Sequence, residues 1–328
     1  MSDTITSPTL APVDQADYAA LAKGAAILAR PSAGVLRLSD ADRHDFLQRM
    51  TSNNITALRP GQSAVTVLTS PTARIVFVFT VIARDNDLVL LPAPGQNQAL
   101  ARHLRGQIFF MDKVKVEDLG EQWTRLRVMG PQAAQAISAL EIDVATLPVN
   151  AASLQETLIV VAQPHFEVSG FELIIPTGDA SSITETLITA GAHAIAEAAF
   201  EARRVELGRP AAGAELIEEN SPLEAGLAWA CAENKGCYTG QEIIARQITY
   251  DKVTKTLVGL RLDGAVATGS AVTVEGRPVG KVTTVAHSPA LDAPLALAII
   301  KRPHNAPGTQ VQVGEQSAVV TELPFVTA

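Results

Sequence analysis

Beyond residue 252 the sequence breaks into six short β-forming runs, and no other feature constrains the fold as strongly. The runs are 256–262, 271–275, 278–286, 295–301, 309–313 and 318–321. Gly264, Gly269, Gly276, Gly308 and Gly314 separate many of them, and Gly276-Arg277-Pro278 reads as a hairpin turn. Short strands at this density predict a small all-β barrel or sandwich. The change of texture sets a boundary at 252–255, dividing a module 1–252 from a barrel domain 253–328.

The longer module mixes helices and strands. A helix is expected over 14–29 from Tyr18, Leu21, Ala22, Ala25, Ile27 and Leu28. A strand 34–38 follows, then a helix with Phe46, Leu47 and Met50 on its apolar face. Asn53 and Asn54 come just after it, where asparagine commonly forms turns. Strands are expected at 64–69, 74–83 and 88–91, a helix at 96–105, and extended chain over 108–118. Leu126-Arg127-Val128-Met129 before Gly130-Pro131, and Glu172-Leu173-Ile174-Ile175-Pro176 before 181–190, repeat the strand-then-helix pattern of the first segment. This is a weak echo, in favour of a duplicated architecture within an α+β class. Glu172 opens an apolar strand, where a carboxylate either faces solvent or holds a polar ligand at the sheet end. His165 and Glu167 fall on one side of an extended piece, too few ligands for a metal site. Glu197, Glu201, Arg204 and Glu206 have spacings that permit ion pairs along one helix.

The densest chemistry lies in Lys235-Gly236-Cys237-Tyr238-Thr239-Gly240-Gln241-Glu242. The apolar run 226–232 before it reads as a strand, and 241–247 after it as a helix start with Glu242 in the first turn. Backbone N–H groups gather at such an end and favour anions. A thiolate at Cys237, near that end and near Lys235, would have a lowered pKa and serve as nucleophile or ligand. The same residues also suit a plain turn with Cys237 as a small buried hydrophobe.

Composition removes several classes. The formal charge is −8 and there is no long basic tract, which discourages generic nucleic-acid binding. Two cysteines, Cys231 and Cys237, exclude a disulfide framework, and their spacing suits neither zinc nor a cluster held by this chain alone. Residues 1–12 read as a loose Ser/Thr/Pro-rich tail without a secretory pattern. No apolar run reaches the roughly eighteen residues of a membrane span, so a cytoplasmic protein is expected.

The octet resembles the signature of the folate-binding YgfZ proteins, relatives of the glycine-cleavage T-protein, an aminomethyltransferase. The lead-in Ser221-Pro222-Leu223-Glu224-Ala225-Gly226-Leu227 and the following Ala245-Arg246 are similar to that family too. So are Leu36-Arg37-Leu38, Asp42-Arg43, Phe46-Leu47-Gln48, Thr51-Ser52-Asn53-Asn54-Ile55, the stretch from Arg204 to Pro210, and Ser288-Pro289 in the barrel. Coverage is nearly full length. The resemblance implies a three-domain cloverleaf: two related, interleaved α+β units around a central cavity, and the C-terminal β-barrel. It implies tetrahydrofolate or a related reduced folate in that cavity. Glu172 matches the pterin-binding glutamate, and a carboxylate accepts two hydrogen bonds from an aminopyrimidine edge. Asn54, Arg204, Tyr238, Gln241, Glu242 and Arg246 join it as cofactor-binding candidates, with Cys237 and Lys235 as the catalytic pair. Four departures stand out. Asn53-Asn54 replaces an asparagine-aspartate pair, Thr72-Ala73-Arg74 replaces glutamine-glycine-arginine, apolar Phe77 or Val78 occupies the acidic position expected soon after it, and 91–98 lacks the aspartate that T-protein chemistry uses for its proton.

The function implied first is a folate-dependent accessory factor for assembly or repair of iron–sulfur clusters. Its partners would be iron–sulfur client or assembly proteins, with an indirect link to tRNA through tRNA-thiolating enzymes, and no membrane. The alternatives are a folate-dependent one-carbon transferase or demethylase, and an RNA- or protein-binding module with a basic wall of Arg43, Arg74 and Arg204.

Overall fold

The computed structural model describes residues 12–155 and 157–327. Most of the expected tail, residues 1–11, lies outside them. The chain begins with α1 (Gln15–Lys23), capped by the Asp14 carboxylate, which accepts from the Ala16 and Asp17 amides. The helix expected over 14–29 stops at Gly24, and Ile27 and Leu28 belong to strand β1 (Ala26–Arg30). Glycine ends the helix, and the apolar residues beyond it are taken up by sheet pairing.

The chain then leaves this first unit and builds a second one. Its elements are β2 (Leu36–Ser39), α2 (Arg43–Gln48), β3 (Ser63–Thr69), β4 (Ile75–Ala83), β5 (Asp87–Pro92), α3 (Asn97–Gly106) and β6 (Lys115–Asp118). The five strands form one sheet in the order β3-β4-β5-β2-β6. Of the extended chain expected over 108–118, only β6 pairs.

The first unit resumes with β7 (Trp123–Met129), α4 (Ala133–Ser138), β8 (Ala152–Leu154), β9 (Ile159–Gln163), β10 (Gly170–Pro176), α5 (Ala180–Thr189), β11 (His193–Ala194) and α6 (Glu197–Glu206). Its sheet runs β11-β1-β7-β10-β9-β8. After α7 (Gln241–Thr249) come β12 (Lys255–Leu262), β13 (Ala271–Val274), β14 (Arg277–Ser288), β15 (Ala293–Lys301), β16 (Gln310–Val313) and β17 (Gln316–Thr321). These six close into a barrel, β12-β15-β14-β13-β16-β17. The expected architecture is therefore present: two interleaved α+β units and a C-terminal closed β-barrel.

The period-2 alternation of strands explains how the two sheets meet. In the first unit Leu126, Val128, Leu173 and Ile175 point to one side, where Ile137 and Leu187 cover them. In the second, Phe79, Val81, Leu88 and Leu90 face Leu100 and Leu104 of α3. The opposite faces of the two sheets turn toward each other and share a core of Ile82, Val89, Leu91, Ile159, Val161 and Ile174. Buried on both faces, β4 and β5 read as nearly continuous apolar runs rather than alternating ones, whereas the equally buried β3 carries Ser63, Thr66 and Thr69.

The barrel is tied back through α6. Val205 packs with Leu295, Leu297 and Phe325. The fully buried Glu206 carboxylate accepts from Tyr18 Oη at 2.6 Å, Ser288 Oγ at 2.5 Å and Arg203 Nη1 at 3.1 Å. One carboxylate thus joins α1, α6 and the barrel.

Candidate functional site

The octet is a latch on the second unit. Residues 226–232 do not form the expected strand. They turn, with a 3-10 helix at Ala228–Ala230, because their amides bond to carbonyls a few residues earlier, of Pro222, Leu223, Leu227 and Ala228, and to Ser52. The Ala232 amide donates to the Ser52 carbonyl, Ser52 Oγ donates to the Ala230 carbonyl at 2.6 Å, and the Val67 amide donates to Ser52 Oγ at 3.0 Å. Gly240 has φ +84, and a Cβ there would lie 2.7 Å from the Ser70 carbonyl oxygen. Only glycine allows both the left-handed turn and that approach. α7 starts immediately after it, and Thr69 Oγ1 donates to the Thr239 carbonyl at 2.5 Å.

Lys235 is the centre of the latch. Its Nζ donates to the carbonyls of Gln48 at 2.8 Å and Asn53 at 2.7 Å, and also to that of Thr51. The Tyr238 ring centroid lies 4.9 Å away. An ammonium has three N–H bonds, and all three are spent on this loop. Burial pushes the Lys235 pKa down to about 8, opposed by the nearby Cys231 thiol. This corrects the expected pairing of Lys235 with Cys237. The ammonium is committed to backbone, and the thiol it senses is Cys231, which is buried and pushed up to about 11 by that burial. Cys237 is exposed, which removes the reading of it as a buried hydrophobe. Asn54 lies in the same loop and accepts from Gln48 Nε2 and Thr56 Oγ1. Tyr238 is buried, its amide donating to Gln241 Oε1 at 3.3 Å. Glu242 and Arg246 stand on exposed faces of α7.

Glu172 belongs to a different cluster, on the inward face of the first sheet. It is fully buried. Arg125 Nε donates to Oε1 at 2.7 Å and Arg127 Nη1 to Oε2 at 3.0 Å. Arg125 also donates to the Pro92 carbonyl at 2.6 Å, at the end of β5 where no aspartate stands. Arg127 reaches Gln163 Oε1 and the carbonyls of Phe166 and Val168. Glu167, at φ +56, lies 2.8 Å from Arg30. Burial pushes the Glu172 pKa up, but Arg125, Arg30 and Arg127 outweigh it and hold the carboxyl at about 2. The sequence reading missed Arg30, Arg125 and Glu167 as members of this cluster. The signal was there: Arg125 and Arg127 stand two apart in an otherwise apolar strand and so share a face.

Arg204 makes a third cluster. It forks onto Glu201 at 2.7 and 3.0 Å and donates to the Arg209 carbonyl at 2.5 Å, with Glu215 and Thr284 Oγ1 each at 3.4 Å. Its donors are occupied by protein. The proposed basic wall also dissolves. Arg43 donates to the carbonyls of Asp40 and Asp85, and Arg74 pairs with Glu224 at 2.9 Å. The structure thus brings Lys235, Asn54, Tyr238 and Gln241 together, and places Glu172 and Arg204 elsewhere. Among the described residues no His, Cys, Asp and Glu form a metal-binding group, and no helix is long and apolar enough to cross a membrane.

The sequence matches the GCVT N-terminal domain over residues 7–235 and the glycine cleavage T-protein C-terminal barrel domain over 255–326. It is 34% identical over 299 residues to a chloroplastic Arabidopsis thaliana protein, At1g60990, whose name describes it as a transferase; the match spans 89% of this chain and 69% of that one. It is 29% identical over 299 residues to an aminomethyltransferase of Thermus thermophilus, covering 86% of this chain and 81% of the relative. The aminomethyltransferase of Halalkalibacterium halodurans is 28% identical over 313 residues, at 89% and 84% coverage. In fold, the chain superimposes on the crystal structure of glycine cleavage system aminomethyltransferase T from Bartonella henselae with a TM-score of 0.86. That match has 21% identity and covers 95% of this chain and 89% of that one. These relatives overturn the expectation of an iron–sulfur accessory factor linked to tRNA thiolation, because they carry transferase and aminomethyltransferase names instead.

Proposed function

The chain belongs to the glycine cleavage T-protein family, and from that membership we propose that it is an aminomethyltransferase-type one-carbon transferase with a reduced folate as acceptor. The observation that carries this reading is the extent of the likeness. Both family domains are present in order, and the aminomethyltransferases align along 86–89% of the chain. The octet 235–242 supports a place in the YgfZ branch of the family; that concerns ancestry and adds no activity.

A reduced folate would supply the nitrogen that takes up the carbon. The central carboxylate does not fit that group as the side chains stand. Glu172 has no exposed edge, and each of its oxygens already accepts from an arginine. The cavity bordered by Thr80, His165, Trp229 and Gln163, the residue that accepts from Arg127, measures about 10 Å³. Glu172 also stays ionised at neutral pH, so it is not the group that takes a proton. Its role in this reading is electrostatic: it holds Arg125 and Arg127 in place. Arg125 in turn orients the end of β5 through the Pro92 carbonyl.

The test supplies the purified protein with tetrahydrofolate and an aminomethyl thiol formed in situ from formaldehyde, ammonia and a dithiol. Methylene-folate is followed by mass spectrometry. Formation faster than the uncatalysed rate, lost in Arg125→Met, is the expected result. No acceleration at any protein concentration rejects the reading.

A further inference from the structure

The outer face of the barrel carries an arrangement of charge that the proposed transfer does not use. Lys255 on β12 stands directly opposite Lys301 on β15. Lys281 on β14 pairs with Ile299, two residues before Lys301. The strand period therefore puts Lys255, Lys301 and Lys281 on one face across three adjacent strands. The register also fixes which face this is. Ile300 and Val282, the neighbours of Lys301 and Lys281, point into the barrel core.

A cavity of about 370 Å³ lies over this face, within the usual range for small-molecule sites. All three lysines line it, together with Ala214, Ile217 and Asn220 from the loop that precedes Ser221. Lys255 is partly used: its Nζ donates to the Glu219 carbonyl and to Asn220 Oδ1, each at 2.9 Å, and lies 3.8 Å from Glu224. Lys281 and Lys301 are exposed, and neither has an ion pair among the described residues. The one acidic side chain lining the cavity belongs to Glu219.

Like charges directly opposite on neighbouring strands destabilise a sheet. Here they converge on one cavity in a chain whose formal charge is −8. We propose that this cavity binds a small anion carrying two or more oxyanion groups, phosphoryl or carboxylate, held by Lys281 and Lys301 with Lys255 at its rim. Charge-assisted hydrogen bonds from ammonium groups supply the attraction, and relief of the lysine repulsion adds to it.

Calorimetry at low ionic strength tests this with inorganic pyrophosphate in one arm and citrate in the other, on wild type and on the Lys281→Gln/Lys301→Gln double variant. Wild type is expected to bind one anion saturably and to melt higher in its presence. The double variant should bind at least about tenfold more weakly and melt no lower than wild type without anion, since it loses only repulsion. Preference for pyrophosphate assigns a phosphoryl ligand, and preference for citrate a carboxylate one. Absence of saturable binding in both arms overturns the proposal. So does unchanged affinity in the double variant, which would place the anion elsewhere.

Discussion

Lys235 Nζ donates to the Gln48 carbonyl oxygen at 2.8 Å, across 187 residues of sequence. The octet lysine therefore fastens the loop after α2 to the start of α7. Its removal leaves buried carbonyls without donors. Lys235→Met should lower unfolding free energy by about 1–3 kcal/mol, read by urea titration. Lys235→Arg should fail to restore it, because a planar fork cannot replace three converging ammonium bonds.

The two cysteines should separate cleanly by reactivity. Cys237 is exposed, whereas Cys231 is buried with its thiol pushed up to about 11. A colorimetric thiol reagent at neutral pH should titrate one group in the native protein and two in denaturant. Cys237→Ser should leave none reactive in the native state. Fast reaction of Cys231 would contradict the packing described.

Glu172 gives acid sensitivity of defined sign. Its folded pKa of about 2 lies below the ordinary 4.5, so the unfolded chain binds the proton first. The stabilisation is present above pH 4.5 and is lost as pH falls from there toward 2, by up to about 3 kcal/mol. Glu172→Gln should remove that part of the acid limb. It should also cost about 3–5 kcal/mol at neutral pH, since two buried arginines lose their counter-charge. Thermal melts from pH 2 to 7 measure both.

Tyr18 and Glu206 should act as one unit. Burial and the Glu206 carboxylate push the Tyr18 pKa up to about 12. The contribution is present below pH 10 and lost as pH rises from 10 to 12. Tyr18→Phe and Glu206→Gln should each cost about 1–3 kcal/mol. The double variant should cost less than the sum of the two single costs, because both substitutions disturb the same 2.6 Å charge-assisted hydrogen bond. Full additivity would place the energy outside this pair.

Local pattern was enough to locate most elements. Glycine punctuation marked the barrel strands, the apolar face of Phe46 and Leu47 marked α2, and Gly240 before Gln241-Glu242 marked the start of α7. It failed where a local preference had two outcomes. Ile27 and Leu28 suit a helix as well as a strand, and pairing of β1 with β7 decided for the strand. Residues 226–232 are apolar enough for a strand, but their amides found partners within a turn and on Ser52.

The sequence by itself determined the class of the fold, the late barrel and the presence of a special octet, because these rest on periodicity and on residues adjacent in the chain. The partners of charged side chains were decided only in three dimensions. Lys235 stands two residues from Cys237 yet binds carbonyls from residues 48, 51 and 53. Glu172 meets Arg125 and Arg127 across a strand pair. Lys301 faces Lys255 because of barrel register. A charge takes the partner that lies closest in space with a free donor or acceptor, and sheet register and loop closure place that partner far away along the chain.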